Sequence, residues 1–180
     1  MKPRKTLNHM VVALCLSVAP AAFAQTPPAD AQRAYLPANA TVPPATQTVI
    51  IDLIARMNQA IDANDYETYA TFYAEDGVID SGFGPATQGR AAIVASLQQS
   101  APFITNKRHV AANIVLNGTA NRVTATYYLT VFERASGLTL AGTALITDTF
   151  VGRSGRWQVE RHVTRMDPAT LQAMRAAMSR

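Results

Sequence analysis

Val123-Thr124-Ala125-Thr126-Tyr127-Tyr128-Leu129-Thr130-Val131 is the stretch whose reading decides the fold. In an extended chain successive side chains point to opposite faces, so Val123, Ala125, Tyr127, Leu129 and Val131 share one face and Tyr128 lies on the other. The same period of two runs through four segments, near 105–116, 121–134, 138–151 and 156–165. Asn117-Gly118, Ser136-Gly137 and Ser154-Gly155 separate them, each a pair suited to a tight turn between antiparallel strands. Long strands joined this way predict an antiparallel meander that needs a cover on one face.

Working outward, the segments before Pro102 change period. Val49, Ile50, Leu53, Ile54, Met57 and Ile61 recur at spacings of three and four, which predicts an amphipathic helix over about 46–63. Asn64-Asp65 interrupts it, and Asp65 suits the N-cap of a second helix whose packed face is Tyr66, Tyr69, Ala70 and Tyr73, with Phe72 beside them. A short strand, Val78-Ile79-Asp80, leads through Ser81-Gly82-Phe83-Gly84-Pro85 to a third helix near Arg90–Gln99, with Ile93, Val94 and Leu97 inward. After the meander, Asp167-Pro168 opens a last helix in which Leu171, Met174 and Met178 form a packing or dimer-facing stripe. Helices first and a long sheet afterwards predict an α+β domain: three N-terminal helices and a curved antiparallel sheet enclosing a pocket.

The N-terminal end carries a different signal. Lys2, Arg4 and Lys5 precede the apolar run Met10–Ala19, and Ala22-Phe23-Ala24 presents small residues where a signal peptidase cuts, before Gln25. The run is about 10 residues, short of the roughly 20 a spanning helix needs. Residues 1–24 therefore read as a secretory signal peptide, and the mature protein as periplasmic or secreted, without a membrane span; a retained anchor is the alternative. Residues 25–45 hold Pro27, Pro28, Pro37, Pro43 and Pro44 among Ala, Thr and Gln and read as an extended linker. The domain proper is 46–166, followed by the helix at 167–180.

Export reshapes the composition. The chain has 16 Lys and Arg against 12 Asp and Glu, but three of the basic residues leave with the signal, giving 13 against 12. No clustered basic surface remains to neutralise phosphates, which argues against a nucleic-acid partner. Cys15 is the single cysteine and leaves too, removing disulfide, thiol-nucleophile and thiolate-ligand readings.

Five segments carry a family resemblance: Ile61-Asp62-Ala63-Asn64-Asp65-Tyr66, Tyr73-Ala74-Glu75-Asp76-Gly77-Val78, Gly89-Arg90-Ala91-Ala92-Ile93, Arg108-His109-Val110 with Asn113-Ile114, and Gly155-Arg156-Trp157-Gln158-Val159. In order and spacing, over roughly 45–166, the chain resembles the SnoaL-like branch of the nuclear transport factor 2-like superfamily. The resemblance implies a cone with a deep apolar cavity, often dimeric. It spans dehydratases, isomerases, cyclases and epoxide hydrolases as well as non-catalytic members, so the fold alone does not name the chemistry.

Four residues are candidate catalytic groups. His109 is read on one strand face with Ala111, Asn113 and Val115, and an imidazole facing a pocket exchanges protons near neutral pH. Its position resembles that of a histidine used by scytalone-dehydratase-like and bile-acid-dehydratase-like members. Asp62, at the end of the first helix, resembles the acidic residue with which those members orient that histidine. Tyr127 can polarise a substrate oxygen, although the scytalone-dehydratase-like members place a second histidine there. Asp148 alternates with Ala144, Ile146 and Phe150 on an apolar face, where a carboxylate needs a partner or a raised pKa; His109, Arg161 and His162 are candidate partners. Each has a plain structural alternative: hydrogen-bonding the backbone, capping, packing, or reaching solvent. Ala144 and Ile146 stand where the dehydratase-like pattern has polar residues, which weighs against dehydration.

No spaced metal motif such as HExxH is present, and Ser81-Gly82-Phe83-Gly84 lacks the lysine and context of a phosphate loop. The sequence thus predicts no metal and no cofactor. Two functions stand side by side. One is a binding module for a small, largely apolar ligand of aromatic, polyketide-like or steroid-like character; the other is a cofactor-independent lyase or isomerase using His109. Either is expected to be a homodimer. Expressed with its leader in a bacterial host, the chain is expected to mature to a species beginning at Gln25, which N-terminal sequencing or intact mass checks; an uncut leader sinks the signal-peptide reading.

Overall fold

A computed structural model describes residues 42–135, 137 and 139–178. The predicted signal peptide, Cys15, nearly all of the linker and Ser136 of the predicted turn lie outside the described residues. The elements run α1 (Pro44–Asp62), α2 (Tyr66–Thr71), β1 (Tyr73–Asp80), β2 (Thr87–Gln88), α3 (Arg90–Gln99), α4 (Ala101–Ile104), β3 (Lys107–Gly118), β4 (Arg122–Glu133), β5 (Thr139–Arg153), β6 (Arg156–Met166) and α5 (Pro168–Met178). One six-stranded, unclosed sheet has the order β2-β1-β6-β5-β4-β3.

Pro44 opens α1 at a position where its missing N–H costs nothing. Ile50, Ile54, Met57 and Ile61 then bury one stripe of the helix, while Val49, expected inside, is 43% exposed at the shoulder of that stripe. Asn64 ends the helix with φ 58°, a left-handed conformation asparagine tolerates, and Asp65 caps α2 by accepting from Thr68 N at 3.0 Å. Tyr73 is buried as expected but begins β1 instead of continuing α2. Besides the three expected N-terminal helices, Pro102 lies in a separate four-residue turn, α4.

The meander β3-β4-β5-β6 is antiparallel, as its turn pairs predict. The outer pair β1–β6 is parallel, so the sheet is mixed rather than wholly antiparallel. Its register shifts between Tyr73 and Val78, where a Cβ on Gly77 would approach Val159 O to 2.9 Å and Ala74 O to 3.0 Å. Only glycine fits that bulge.

A second irregularity changes which residues face inward. Asn113 sits in β3 with φ 55°, and the β3–β4 register shifts between Ala112 and Val115. A bulge inserts one residue and inverts the alternation beyond it. His109 and Ala111 therefore face the core as predicted, but Ile114 and Leu116 take over from Asn113 and Val115, and Val115 is 46% exposed.

The last helix is a lid. Asp167 N donates to Thr143 O, Thr143 N donates to Thr170 Oγ1 at 2.9 Å, and Thr170, Ala173, Met174 and Ala177 line the interior cavity. Gly142 makes this approach possible: a Cβ there would lie 2.6 Å from Thr170 Cγ2. Gly142→Ala is expected to loosen α5 by about 1–3 kcal/mol, the usual cost of overpacking. Faster amide exchange along 168–178, with the exchange of β4 and β5 amides unchanged, is the signature to measure; unchanged exchange in α5 refutes this account of the lid.

Candidate functional site

Two Asp–His pairs, each joining neighbouring elements, turn their imidazoles toward one cavity. At the end of α1, Asp62 meets β3 three ways. Its Oδ1 lies 2.7 Å from His109 Nδ1, it accepts from His109 N at 3.0 Å, and Arg108 Nε approaches Oδ2 at 3.1 Å. The helix end is thereby stitched to the strand. With Asp62 accepting at Nδ1, a neutral His109 carries its proton there and presents Nε2 as an acceptor. Nε2 has no hydrogen-bond partner among the described residues, and His109 lines the cavity with only 13% of its side chain exposed to solvent.

The second pair lies across strands. Asp148 on β5 and His162 on β6 are register partners, and His162 Nδ1 lies 2.7 Å from Asp148 Oδ1. From β4, the Tyr127 hydroxyl donates to Asp148 Oδ2 at 2.7 Å. His162 Nε2 in turn lies 3.0 Å from Thr164 Oγ1. Asp148 is 0% exposed, and an ionised carboxylate there is tolerable only when both oxygens are occupied, as they are. Among the partners the sequence offers for Asp148, the structure selects His162; His109 belongs to Asp62.

The cavity measures about 440 Å³ and is mostly apolar, walled by Met57, Ile61, Leu97, Leu129, Val131 and Met174 among others. His109, Tyr127, His162 and Thr164 supply polar groups from three strands. Asp148 is not among the lining residues and acts from behind Tyr127 and His162. Lys107, paired with Glu133 at 2.5 Å, also lines the cavity. That lysine's hydrogen bond, with those from Arg134 and Ala135 N–H, holds the Glu133 carboxyl down near 2. A separate depression of about 540 Å³ lies between α1 and the β5–β6 turn, lined by Val49, Leu53, Phe72, Trp157 and Arg156, and contains none of the candidate residues.

Three buried tyrosines cluster around Asp148. The Tyr69 and Tyr73 hydroxyls lie 3.0 Å apart, both buried. Burial is the main cause that raises Tyr69, Tyr73 and Tyr127 above the ordinary phenol value, with the Asp148 charge adding to each. Asp62, His109, Tyr127 and Asp148 are the residues expected at the site from the sequence, where His162 has only a supporting part and Thr164 is unmarked. The signal was present, since His162 and Thr164 are two apart on a strand and share a face.

The family described as SnoaL-like domain matches residues 45–163. A protein of unknown function with a cystatin-like fold from Nostoc punctiforme is 26% identical, with a TM-score of 0.67 over 71% of this chain and 96% of that one. A Catenulispora acidiphila protein in complex with S-DNPA is 25% identical, with a TM-score of 0.65 over 71% of this chain and 98% of that one. ActVI-ORFA from Streptomyces coelicolor shares the fold at 24% identity, with a TM-score of 0.61 over 67% of this chain and 97% of that one. No curated protein matches the chain by sequence.

The buried tyrosine cluster makes the fold alkali-sensitive. Phenols whose folded pKa is raised support the fold fully below the unfolded value of about 10, and that support is lost as pH rises from there through the folded values. Each of the three is expected to cost about 1.4 kcal/mol per pH unit above about pH 10. Chemical denaturation at stepped pH, with tyrosinate absorbance followed in parallel, should show a shallower decline in Tyr127→Phe. Early ionisation of all tyrosines in the folded protein would refute the assignment.

Proposed function

Because the chain belongs to the SnoaL-like domain family, we propose that its cavity is the active site of a cofactor-independent lyase or isomerase in an exported protein. The observation that carries this reading is His109. Asp62 fixes its Nδ1 at 2.7 Å, and its other nitrogen is left for an apolar cavity of about 440 Å³. That volume falls in the usual range for small-molecule sites, roughly 300–1,000 Å³.

The substrate class is a small, largely apolar molecule, aromatic, polyketide-like or steroid-like, bearing a carbonyl or hydroxyl. His109 Nε2 takes a proton from carbon beside the carbonyl, and the electron pair moves onto the carbonyl oxygen. Exclusion of water from the apolar cavity strengthens each hydrogen bond that oxygen receives. Asp62 and Asp148 are positioning residues: neither needs to touch substrate for the imidazoles to be held. The outer sheet face exposes Val110, Tyr128 and Leu140, which supports the homodimer as part of the same proposal.

One observation favours the non-catalytic reading instead. Tyr127, Asp148, His162 and Thr164 hydrogen-bond one another, as a purely structural network would. The experiment separating the two uses 5-nitrobenzisoxazole, a small apolar probe whose ring opens when a base removes its C–H proton. Turnover by the mature chain is expected to fall about 10²- to 10⁴-fold in His109→Ala, the usual worth of a positioned base. A rate unchanged by His109→Ala sinks the enzyme reading; probe binding seen as a thermal shift without turnover favours the binding module.

A further inference from the structure

We propose that Lys107 anchors a carboxylate, so that the ligand of the cavity is a small apolar acid, its ring or chain against the apolar walls and its negative group at the start of β3. This deepens the reading of the cavity as a small-molecule site and rests on it, but it does not require His109 to act as a base.

Charge is spread unevenly around the cavity. No Asp or Glu is among its lining residues, and Lys107 is the one lysine or arginine among them. The other polar groups of the wall are imidazoles, hydroxyls and the Asn58 amide. In a mostly apolar site a few such groups fix how a ligand lies. A single ammonium selects a ligand that is apolar over most of its length and negative at one end.

The ammonium is held in place without being used up. Lys107 and Glu133 are register partners at the end of the β3–β4 ladder. Glu133 Oε2 accepts from Lys107 Nζ at 2.5 Å, while Oε1 accepts from Arg134 N at 2.8 Å and Ala135 N at 2.9 Å. The backbone that follows β4 thus fixes Glu133, and Glu133 fixes the lysine. Glu133 itself does not line the cavity. An ammonium carries three donors, and Glu133 is the one hydrogen-bond partner of Nζ among the described residues. The Lys107 side chain is only 18% exposed, and a desolvated donor left without a partner is costly. A carboxylate in the cavity receives those donors.

The neighbouring charges favour one negative charge on the ligand. Arg134 Nη1 lies 3.5 Å from Lys107 O, and Arg108 Nε lies 3.1 Å from Asp62 Oδ2. Lys107, Arg108 and Arg134 are set against the carboxylates of Glu133 and Asp62. The imidazole apart, one positive charge is left over, which matches a carboxylate better than a phosphate ester carrying nearly two charges.

The strand sets the spacing. Lys107 and His109 lie two apart on β3, before the shift at Ala112–Val115, so they share the inner face about 7 Å apart along the chain. Pro102, Phe103 and Ile104 of α4 line the cavity just before them in the chain. A ligand whose carboxylate meets Lys107 therefore brings carbon one aromatic ring further along to His109 Nε2.

The test uses two probes on the mature chain, 2-naphthylacetate and 2-(2-naphthyl)ethanol, which share a ring and differ in the carboxylate. Calorimetry is expected to show the acid bound about 10-fold more tightly than the alcohol, the usual worth of a hydrogen bond to a charged group. Both probes should move the His109 ring resonances. Lys107→Met should abolish the preference and Lys107→Arg should keep it. Glu133→Gln, which removes the competing charge, should raise it about threefold. The ratio of the two affinities cancels any loss of folded protein, and in the wild-type chain it should fall as salt is added. Equal binding of acid and alcohol, an equal loss of both in Lys107→Met, or an acid that leaves the His109 resonances unmoved overturns the anchor. A chain that prefers the acid but does not open 5-nitrobenzisoxazole supports the anchor and sinks only the enzyme reading; binding of neither probe overturns the anchor.

Discussion

The constraint on which the rest of the structure depends is the burial of Asp148 at the centre of the sheet. A carboxylate with no solvent contact is stable only if its surroundings provide charge and hydrogen bonds. β4 and β6 flank β5, and each sends one partner to one oxygen: Tyr127 from one side, His162 from the other. Correct pairing of these three strands and a satisfied Asp148 are therefore the same event. A one-residue slip of β6 would turn His162 outward and leave the charge unpaired, so the polar contact enforces a register that apolar packing alone specifies less sharply. Tyr69 and Tyr73 extend the same logic under the helices, their hydroxyls bonding each other beside Asp148.

Much of this was legible in the chain. The alternation Ala144, Ile146, Asp148, Phe150 places a carboxylate on an apolar face, and all four are buried. Asp62 and His109, 47 positions apart, were joined through family resemblance rather than spacing, and the contact is there at 2.7 Å. The features that escaped depend on pairing between distant segments. Nothing local to Asn113 announces a bulge; the residue adopts a left-handed conformation because β4 holds Ala112 and Val115 on either side of it. Tyr73 continues a helical spacing yet enters a strand, because β6 offers Val159 as a parallel partner. Tertiary pairing overrides local preference in both places.

The last helix shows the same limit from the other side. Leu171, Met174 and Met178 read as a stripe, but a stripe does not say what it faces. The decisive residues are small: Gly142 lets Thr170 approach β5, and Ala173 and Ala177 leave space over the cavity. The cone has a roof because side chains are absent there, and hydrophobic periodicity is blind to absence. This roof also bears on chemistry, since closing an apolar cavity raises the strength of each hydrogen bond made inside it.

The two Asp–His pairs have the same internal geometry, Nδ1 to carboxylate at 2.7 Å, and yet they are not equivalent. Asp62 keeps 10% exposure at a helix end and is shared with Arg108, so its charge is already partly compensated without the imidazole. Asp148 has no arginine or lysine against it among the ion pairs of the described residues; its one cationic candidate is His162. His109 keeps Nε2 open to the cavity, whereas His162 is engaged at both ring nitrogens, so His109 is the imidazole placed to meet a ligand. The two imidazoles are thus distinguished by what meets their outer nitrogens, the cavity at His109 and Thr164 at His162.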